Sequence, residues 1–367
     1  MKTPTTPPQP GRPRATVVDV ARAAGVAVGT VSRVLNNHAD VDSAIRARVL
    51  RAARDLSYTR IRRRRALPAA GGAGRGNIAV ICFGMEDALV QLPVVSTALQ
   101  GIENTLSQHG RSLVLANVPR GDRTPSCLQE GHVDGLILKG PNQGVLPAPE
   151  ENELLRRVLR LPHVWLMGRP PNAHGDHCNF DPLVAGHLVV EHLHSRGHRL
   201  IGFLNPKTGQ NQFERLKEGF LLAAQRLGCE PALLEMPPAP RLEWPLPAIT
   251  LQENVDFLVE RWASEPRKRR PTALFVPSDR TAVQLYSALA RRGLRVGADV
   301  SIVSCNNERP VHAGLHPALT TVDVHAEAVG SRAVEQLLWR ISHPQDSVPA
   351  QILLEPTLAV RDSVAVL

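Results

Sequence analysis

Hydrophobic and polar positions near the amino terminus alternate at the spacing of three short amphipathic helices, over 16–24, 28–35 and 43–57. Gly25 separates the first two helices at a position where φ can turn positive. Thr16 opens a T-x-x-D pattern, which is typical of a helix capping box. The pattern therefore predicts two helices joined by a glycine turn, with a third helix packed against them.

The second predicted helix has two different faces. Its inner face carries Val31, Val34 and Leu35. Its outer face carries small or polar residues and one arginine, namely Val28, Gly29, Thr30, Ser32, Arg33 and Asn36. Such a face suits entry into a DNA major groove, where Arg33 would donate two hydrogen bonds to a guanine edge. The alternatives are a helical bundle that packs on a larger domain and, for Arg33, a phosphate contact or a solvated side chain.

The third helix begins after Asp42, and its apolar residues are expected to be buried: Val49, Leu50, Ala53 and Leu56. A basic stretch, TRIRRRRALP, then spans 59–68. Its four consecutive arginines are Arg62, Arg63, Arg64 and Arg65. Leu67 is an apolar side chain that can wedge between base pairs in a minor-groove binder. A disordered basic linker is the alternative, and composition alone favours it.

From Asn77 onward, short apolar runs alternate with longer helical patterns. The expected strands are 78–83, 112–118, 135–140, 163–168, 200–205, 272–277, 301–305 and 351–356. The expected helices are 95–110, 183–198, 212–228 and 279–294. Apolar strands separated by helices predict parallel sheets covered on both faces. Eight strands over this length favour an α/β core of two doubly wound subdomains, with a ligand-binding cleft at the strand ends.

This organisation predicts four segments. They are a disordered lead at 1–14, a helix-turn-helix headpiece at 15–58, a hinge and linker at 59–76, and a core at 77–367. Within the core, we expect subdomain N at about 77–178 and 321–345, and subdomain C at about 181–306 and 350–367.

Charge separates the headpiece region from the core. Residues 1–75 contain 15 lysines and arginines against four acidic residues, a net charge of +11, whereas the whole chain carries +9. Residues 76–367 therefore carry −2. Positive charge confined to one small module indicates a polyanionic partner. Nucleic acid is favoured over a membrane surface, because residues 1–75 offer no apolar face beyond what a three-helix core uses.

Other chemistry finds little support in the sequence. The five cysteines are widely spaced and lack a C-x-x-C pair, and no signal peptide or membrane span is apparent, which together favour a cytoplasmic protein. In the histidine-rich segments EHLHSRGH and HGDHC, His194 and His198 share a helix face, but no carboxylate lies among them at the position of a third metal ligand. Nucleotide-binding loops, nucleophile elbows and metalloprotease motifs are also absent, so we expect no enzyme, metal or cofactor.

The string TVVDVARAAGVAVGTVSRVLN at 16–36, followed by RARVL at 46–50, resembles the headpiece of the lactose-repressor/galactose-repressor (LacI/GalR) family. The resemblance continues through EHLHSRGHRLIGFL at 191–204 and as far as VRDS at 360–363. It implies a homodimeric transcriptional repressor that binds a near-palindromic double-stranded operator. It also implies a core similar to periplasmic sugar-binding proteins, with a small-molecule effector in its cleft.

The resemblance also implies roles for individual residues. Val28, Gly29 and Arg33 fall at base-reading positions. Thr16, Thr30, Ser32, Asn36 and the arginines at 62–65 complete the predicted DNA surface. Leu67 takes the place of the family's intercalating leucine, which reverses the preference for a plain linker. In the cleft, Ser278, Asp279 and Asn306 match effector-site or adjacent positions, and Arg215 lies near the ligand-binding arginine.

Several residues depart from the family pattern. Ala27 replaces the serine that caps the second helix, and Arg60-Ile61 replaces the proline-asparagine that begins the hinge helix. Asn306 replaces an aspartate that hydrogen-bonds sugar hydroxyls in the family. Aromatic residues, which pack against sugar rings, make up only 4% of the chain. We therefore expect an effector other than a common sugar. A ligand-independent regulator remains an alternative, as does a solute-binding protein or enzyme with an accessory basic module.

Overall fold

A computed structural model of the chain describes residues 16–35, 42–56, 76–83, 92–129, 132–141, 143–237 and 253–367. The chain divides into two compact units, one ending at Ala66 and the other beginning at Leu67. No helix within these described ranges is both long and apolar enough to span a bilayer.

The first unit contains three helices. They are α1 (Val17–Ala24), α2 (Val28–Leu35) and α3 (Ser43–Asp55). The predicted capping box is present, because the Thr16 hydroxyl accepts from the Asp19 amide and the Asp19 carboxylate accepts from the Thr16 amide. Gly25 ends α1 with φ at 61°, as the sequence predicted.

Three valines, one from each helix, form the centre of the headpiece core: Val20, Val31 and Val49, all fully buried. Two leucines expected in this core are not buried, since Leu50 is 43% exposed and Leu56 is 36% exposed. Leu50 follows Val49 directly and therefore points about 100° away around α3. Leu56 lies beyond the last helical residue, Asp55.

The first core sheet has six parallel strands in the order β11-β5-β4-β3-β1-β2. Its strands are β1 (Asn77–Phe83), β2 (Ser112–Val118), β3 (Gly135–Lys139), β4 (His163–Leu166), β5 (Asp176–Phe180) and β11 (Gln351–Leu354). The helices of this part are α4 (Pro93–Gln108), α5 (Glu153–Val158) and α11 (Ala326–Ser342). We call this part subdomain N.

The second core sheet has the order β12-β10-β9-β8-β6-β7, and only β12 is antiparallel to its neighbour. Its strands are β6 (Leu200–Asn205), β7 (Glu230–Glu235), β8 (Ala273–Phe275), β9 (Ser301–Cys305), β10 (Thr320–Asp323) and β12 (Thr357–Ala359). The accompanying helices are α6 (Pro182–Ser195), α7 (Asn211–Leu227), α8 (Val255–Ser264), α9 (Asp279–Ala290) and α10 (Arg309–His312). We call this part subdomain C.

Two strands lie in the opposite subdomain to the one that the sequence suggested. The 321–345 segment was expected in subdomain N, but β10 pairs with β9 of subdomain C. The 350–367 segment was expected in subdomain C, but β11 pairs with β5 of subdomain N. Both strands precede a crossing between the sheets, and hydrophobic periodicity does not reveal which sheet supplies a strand's partner.

Close helix contacts within subdomain N depend on small residues. A Cβ added to Gly101 of α4 would collide with the carbonyl of Glu327, and one added to Gly330 of α11 would collide with the carbonyl of Ala98. These two glycines therefore let the backbones of α4 and α11 touch. This contact holds α4 directly against α11.

Candidate DNA-binding surface and effector cleft

The start of α2 presents a small, exposed surface. Val28 is 43% exposed, Gly29 is exposed, and Thr30 is half-buried. One turn further on, Arg33 is also exposed, while Val31 and Val34 face the core. The helix therefore has the two faces that its sequence predicted, and Arg33 lies on the outer one.

The Thr16 side chain caps the start of α1. Its hydroxyl lies 2.6 Å from an oxygen of the Asp19 carboxylate, and this contact lowers the pKa of Asp19. The side chain of Ser32 lies outside the described residues. The same holds for Asn36, for Arg62, Arg63, Arg64 and Arg65, and for Leu67.

A cavity of about 110 Å³ lies at the carboxyl ends of the strands of both sheets. Lys139 ends β3, and Phe180 ends β5 in the first sheet. Lys207 and Ser278 follow strands of the second sheet, β6 and β8. This cavity is smaller than the roughly 150 Å³ of an engineered protein cavity that holds benzene. The cavity thus fits a compact ligand, and it adjoins cavities of about 410 Å³ and about 810 Å³ that share Lys139 and Glu308, respectively, with it.

The structure brings two of the four predicted effector-site residues together in this cavity. Ser278 and Asn306 both line it. Asp279 is fully buried and accepts hydrogen bonds from the hydroxyls of Ser304 and Thr321, so it supports the cavity rather than lining it. Arg215 lines a neighbouring cavity instead, where it lies 2.6 Å from Glu218.

The cavity also contains charged residues that the sequence analysis did not select. Burial lowers the pKa of Lys139 to about 8. Burial, together with the charge of Asp279, raises the pKa of Glu308 to about 7. Lys207 and Glu253 form an ion pair at 3.0 Å. Two features of the sequence could have pointed to these residues. Lys139 ends the apolar run GLILK, and Glu308 stands two positions after Asn306.

Three buried polar atoms that line the cavity have no hydrogen-bond partner among the described residues: Gln210 Oε1, Gln212 Nε2 and Glu308 Oε2. Buried polar groups are nearly always paired. Unpaired polar atoms at a cavity wall are therefore available to hydrogen-bond a polar ligand. Val94, Phe180 and other apolar side chains form the remaining wall.

The histidine-rich segments do not come together as a metal site. Within the described ranges, no group of three His, Cys, Asp or Glu side chains is arranged to hold a metal ion. His198 instead contacts the Thr272 hydroxyl at 2.8 Å, and burial lowers its pKa.

Comparison with known families identifies both parts of the chain. Residues 16–60 match the family model of bacterial regulatory proteins of the lacI family, and residues 190–364 match a periplasmic binding protein-like domain. The chain therefore contains a LacI-family DNA-binding domain and a periplasmic binding protein-like domain. This combination makes it a DNA-binding regulator of transcription with a ligand-binding core, and its curated relatives are transcriptional repressors rather than enzymes.

The curated relatives are transcriptional repressors, and the solved structures share the fold of this chain. The ribose operon repressor of Escherichia coli (strain K12) is 27% identical over 354 residues, which cover 95% of this chain and 99% of the relative. The structure of a complex of the transcriptional regulator CelR with cellobiose has a TM-score of 0.64 at 24% identity, covering 95% of this chain and all of that one. A lac repressor dimer bound to operator and the anti-inducer ONPF has a TM-score of 0.60 at 24% identity, covering 96% and 100%.

Proposed function

We propose that this protein represses transcription as a homodimer on a near-palindromic operator, and that a small molecule in the core cleft modulates its affinity for DNA. The exposed outer face of α2, with Val28 and Gly29 at its start and Arg33 one turn later, carries the proposal. The lac repressor structure provides the dimeric, operator-bound precedent.

Within each half-site, Arg33 is the residue that reads a base by hydrogen bonding. Valine offers only apolar contact, as with a thymine methyl group, and Gly29 lets the helix backbone approach the base pairs. Thr30, Ser32 and Asn36 lie beside phosphates. Specific recognition therefore depends mainly on one arginine, while the run at 62–65 and Leu67 supply affinity and DNA bending.

Selection from random duplex DNA tests the DNA-binding proposal. We expect the selection to recover a palindrome, and recovery of no preferred sequence would refute it. Arg33→Ala should lose roughly 1–3 kcal/mol of discrimination at one base per half-site. Arg51→Ala removes an exposed arginine from α3 and serves as the matched control. Its expected effect is a small, sequence-independent loss of affinity.

In the cleft, the effector is a compact molecule with several hydrogen-bond donors. Ser278, Asn306, Gln212 and Glu308 supply the polar contacts, and Phe180 lies against an apolar part. Asp279 and Arg215 support the site from outside the cavity. The mixture of Lys139 and Glu308 also allows a zwitterionic ligand.

Thermal-shift screening of the full chain against sugars, nucleosides and amino acids tests the effector proposal. A ligand at 100 times its Kd stabilises the folded protein by about 2.7 kcal/mol. A stabilising ligand that changes operator affinity supports modulation. A flat result over a broad library favours the ligand-independent regulator.

A further inference from the structure

Glu308 reaches across the cleft from one subdomain to the other. It follows β9 of subdomain C, and its Oε1 accepts a hydrogen bond of 2.9 Å from the amide of Val94 in subdomain N. The side chain is 4% exposed, and its second oxygen, Oε2, has no hydrogen-bond partner among the described residues. A single buried carboxyl group therefore connects the two halves of the core.

The partner of Glu308 is the beginning of α4. Leu92 stands at the cap position of this helix and offers no side-chain hydrogen bond. The next residue, Pro93, has no amide hydrogen, so Val94 carries the first amide that needs an acceptor. Glu308 thus supplies from subdomain C the cap that α4 lacks in its own sequence.

The backbone that presents Glu308 is strained. Asn306 and Asn307 have φ values of 113° and 53°, in a region that residues other than glycine rarely adopt. Such strain persists only where surrounding contacts enforce it, and it is concentrated at switch regions. The Glu308 amide donates to buried Asp279, and the Asn307 side chain donates to Asp323 at 2.8 Å. These contacts hold the strained turn while the cleft is closed.

We propose that Glu308 is a latch that closes the cleft when its carboxyl group is neutral and weakens that closure when the group ionises. The geometry supports the latch directly, because a neutral carboxyl still accepts from Val94 through its carbonyl oxygen. An ionised carboxylate places a negative charge in the buried cleft next to Asp279, and burial makes that charge costly despite the nearby cations. The latch does not depend on the proposed function. Any effect of cleft closure on DNA binding does.

The charged surroundings of Glu308 come from several elements. From α9 and α10 they are Asp279, Arg280, Arg309 and His312, and from the remaining cavity wall Lys139, Lys207 and Glu253. The first turn of α4 contributes no charged side chain. Burial is the main cause of the raised Glu308 pKa, and Asp279 adds to it. The hydrogen bond from the Val94 amide, the charge of Arg280 and the Asn306 side chain oppose it without cancelling it. His312 is buried near Asp279, and its own pKa is lowered mainly by burial.

The sign of the pH effect follows from linkage. In the open cleft Glu308 meets water, where a glutamate pKa is about 4.3. The closed cleft raises this pKa to about 7, so the closed form binds the proton more tightly. Acidification therefore favours closure, which is strongest below about pH 4.3, weakens as the pH rises from about 4.3 to about 7, and stays at its weakest above that. A ligand that donates to Oε2, above all an ammonium group, would offset the cost of ionisation and keep the cleft closed at higher pH.

Hydrogen exchange of the Val94 amide measures the latch without DNA or effector. We compare the full-length wild type with Glu308→Gln and Glu308→Ala, at about pH 5.5 and about pH 8.5. Glu308→Gln keeps a neutral acceptor of the same shape, and Glu308→Ala removes the acceptor. Glu327→Gln makes the same substitution at an exposed carboxylate at the start of α11, which contacts Asn104, and serves as the control.

At about pH 5.5, wild-type protection of Val94 should already be about tenfold below that of Glu308→Gln, because the open form ionises above about pH 4.3. At about pH 8.5 the difference should be at least about a hundredfold, since the closed form holds its proton more than two pKa units longer than the open form. Glu308→Ala should leave Val94 unprotected at both values, and Glu327→Gln should follow the wild type. Wild-type protection equal to that of Glu308→Gln at both pH values overturns the proposal. So does protection of Val94 in Glu308→Ala. Because the readout contains no DNA, failure of the latch is distinguishable from failure of the proposed repressor function.

Discussion

The Arg340 guanidinium and the Asp176 carboxylate lie 2.6 Å apart inside subdomain N, where they join α11 to β5. The same carboxylate accepts from the Gln336 side chain and the Ala350 amide at 2.8 Å each. Burial opposes ionisation of Asp176, but these hydrogen bonds outweigh it and keep its pKa below the usual value. One carboxylate therefore links α11, β5 and the start of β11.

Replacing Asp176 should destabilise the core. Asp176→Asn leaves the largely buried Arg340 charge without its partner, so we expect the free energy of unfolding to fall by about 3 kcal/mol. Denaturant-induced unfolding provides the measurement. Asp346→Asn is the control, because Asp346 lies 3.9 Å from the same guanidinium but is solvent-exposed. Equal losses in the two variants would mean that burial does not determine the strength of the pair.

Two glycines in the headpiece should respond differently to alanine. Gly25 has φ at 61°, and a Cβ there would meet no atom within 4 Å, so Gly25→Ala is strained only through its backbone. We expect a loss of about 1–2 kcal/mol in headpiece stability, measured by its thermal unfolding. Unchanged stability of Gly25→Ala would contradict a left-handed backbone conformation at this position.

Gly29→Ala is the matched substitution in a helical position that also has open space around it. Alanine favours the helix by roughly 0.5–1 kcal/mol, so the headpiece should become no less stable. The added methyl group lies on the proposed DNA-facing side, and operator affinity should therefore fall. Weaker binding with intact stability separates recognition from folding. Full retention of operator affinity would place Gly29 away from the DNA.

Asp279 should prove structural. Asp279→Ala leaves the hydroxyls of Ser304 and Thr321 and the amide of Glu308 without their common acceptor. Each unpaired buried group costs about 1–3 kcal/mol, so unfolding in denaturant should show a loss of at least about 3 kcal/mol. Asp256→Ala removes an aspartate that pairs with Arg291 at the surface, and we expect little change there. A stable Asp279→Ala protein that merely loses effector binding would instead assign this residue to the ligand.

Local sequence patterns determined the headpiece well. The capping box joins residues three positions apart, and Gly25 ends α1 by a property of its own backbone, so both are readable without a fold. The same reasoning failed for Leu50, because burial on a short helix depends on which side the partner helices occupy. In the core, fully apolar runs such as β1 were predicted, whereas β7, with the sequence EPALLE, and the polar β5 were not.

The sequence by itself determined the type of protein: a basic helix-turn-helix module and an α/β core of two sheets. Tertiary structure decided which sheet receives β10 and β11, and which side chains reach the cleft. Glu308 and Val94 are 214 positions apart, and Asp176 and Arg340 are 164 apart. Hydrophobic periodicity reports only the secondary structure that residues close together in sequence prefer. A cap supplied from another subdomain, or a buried ion pair between a strand and a helix far apart in sequence, exists only once the chain has crossed between its two sheets.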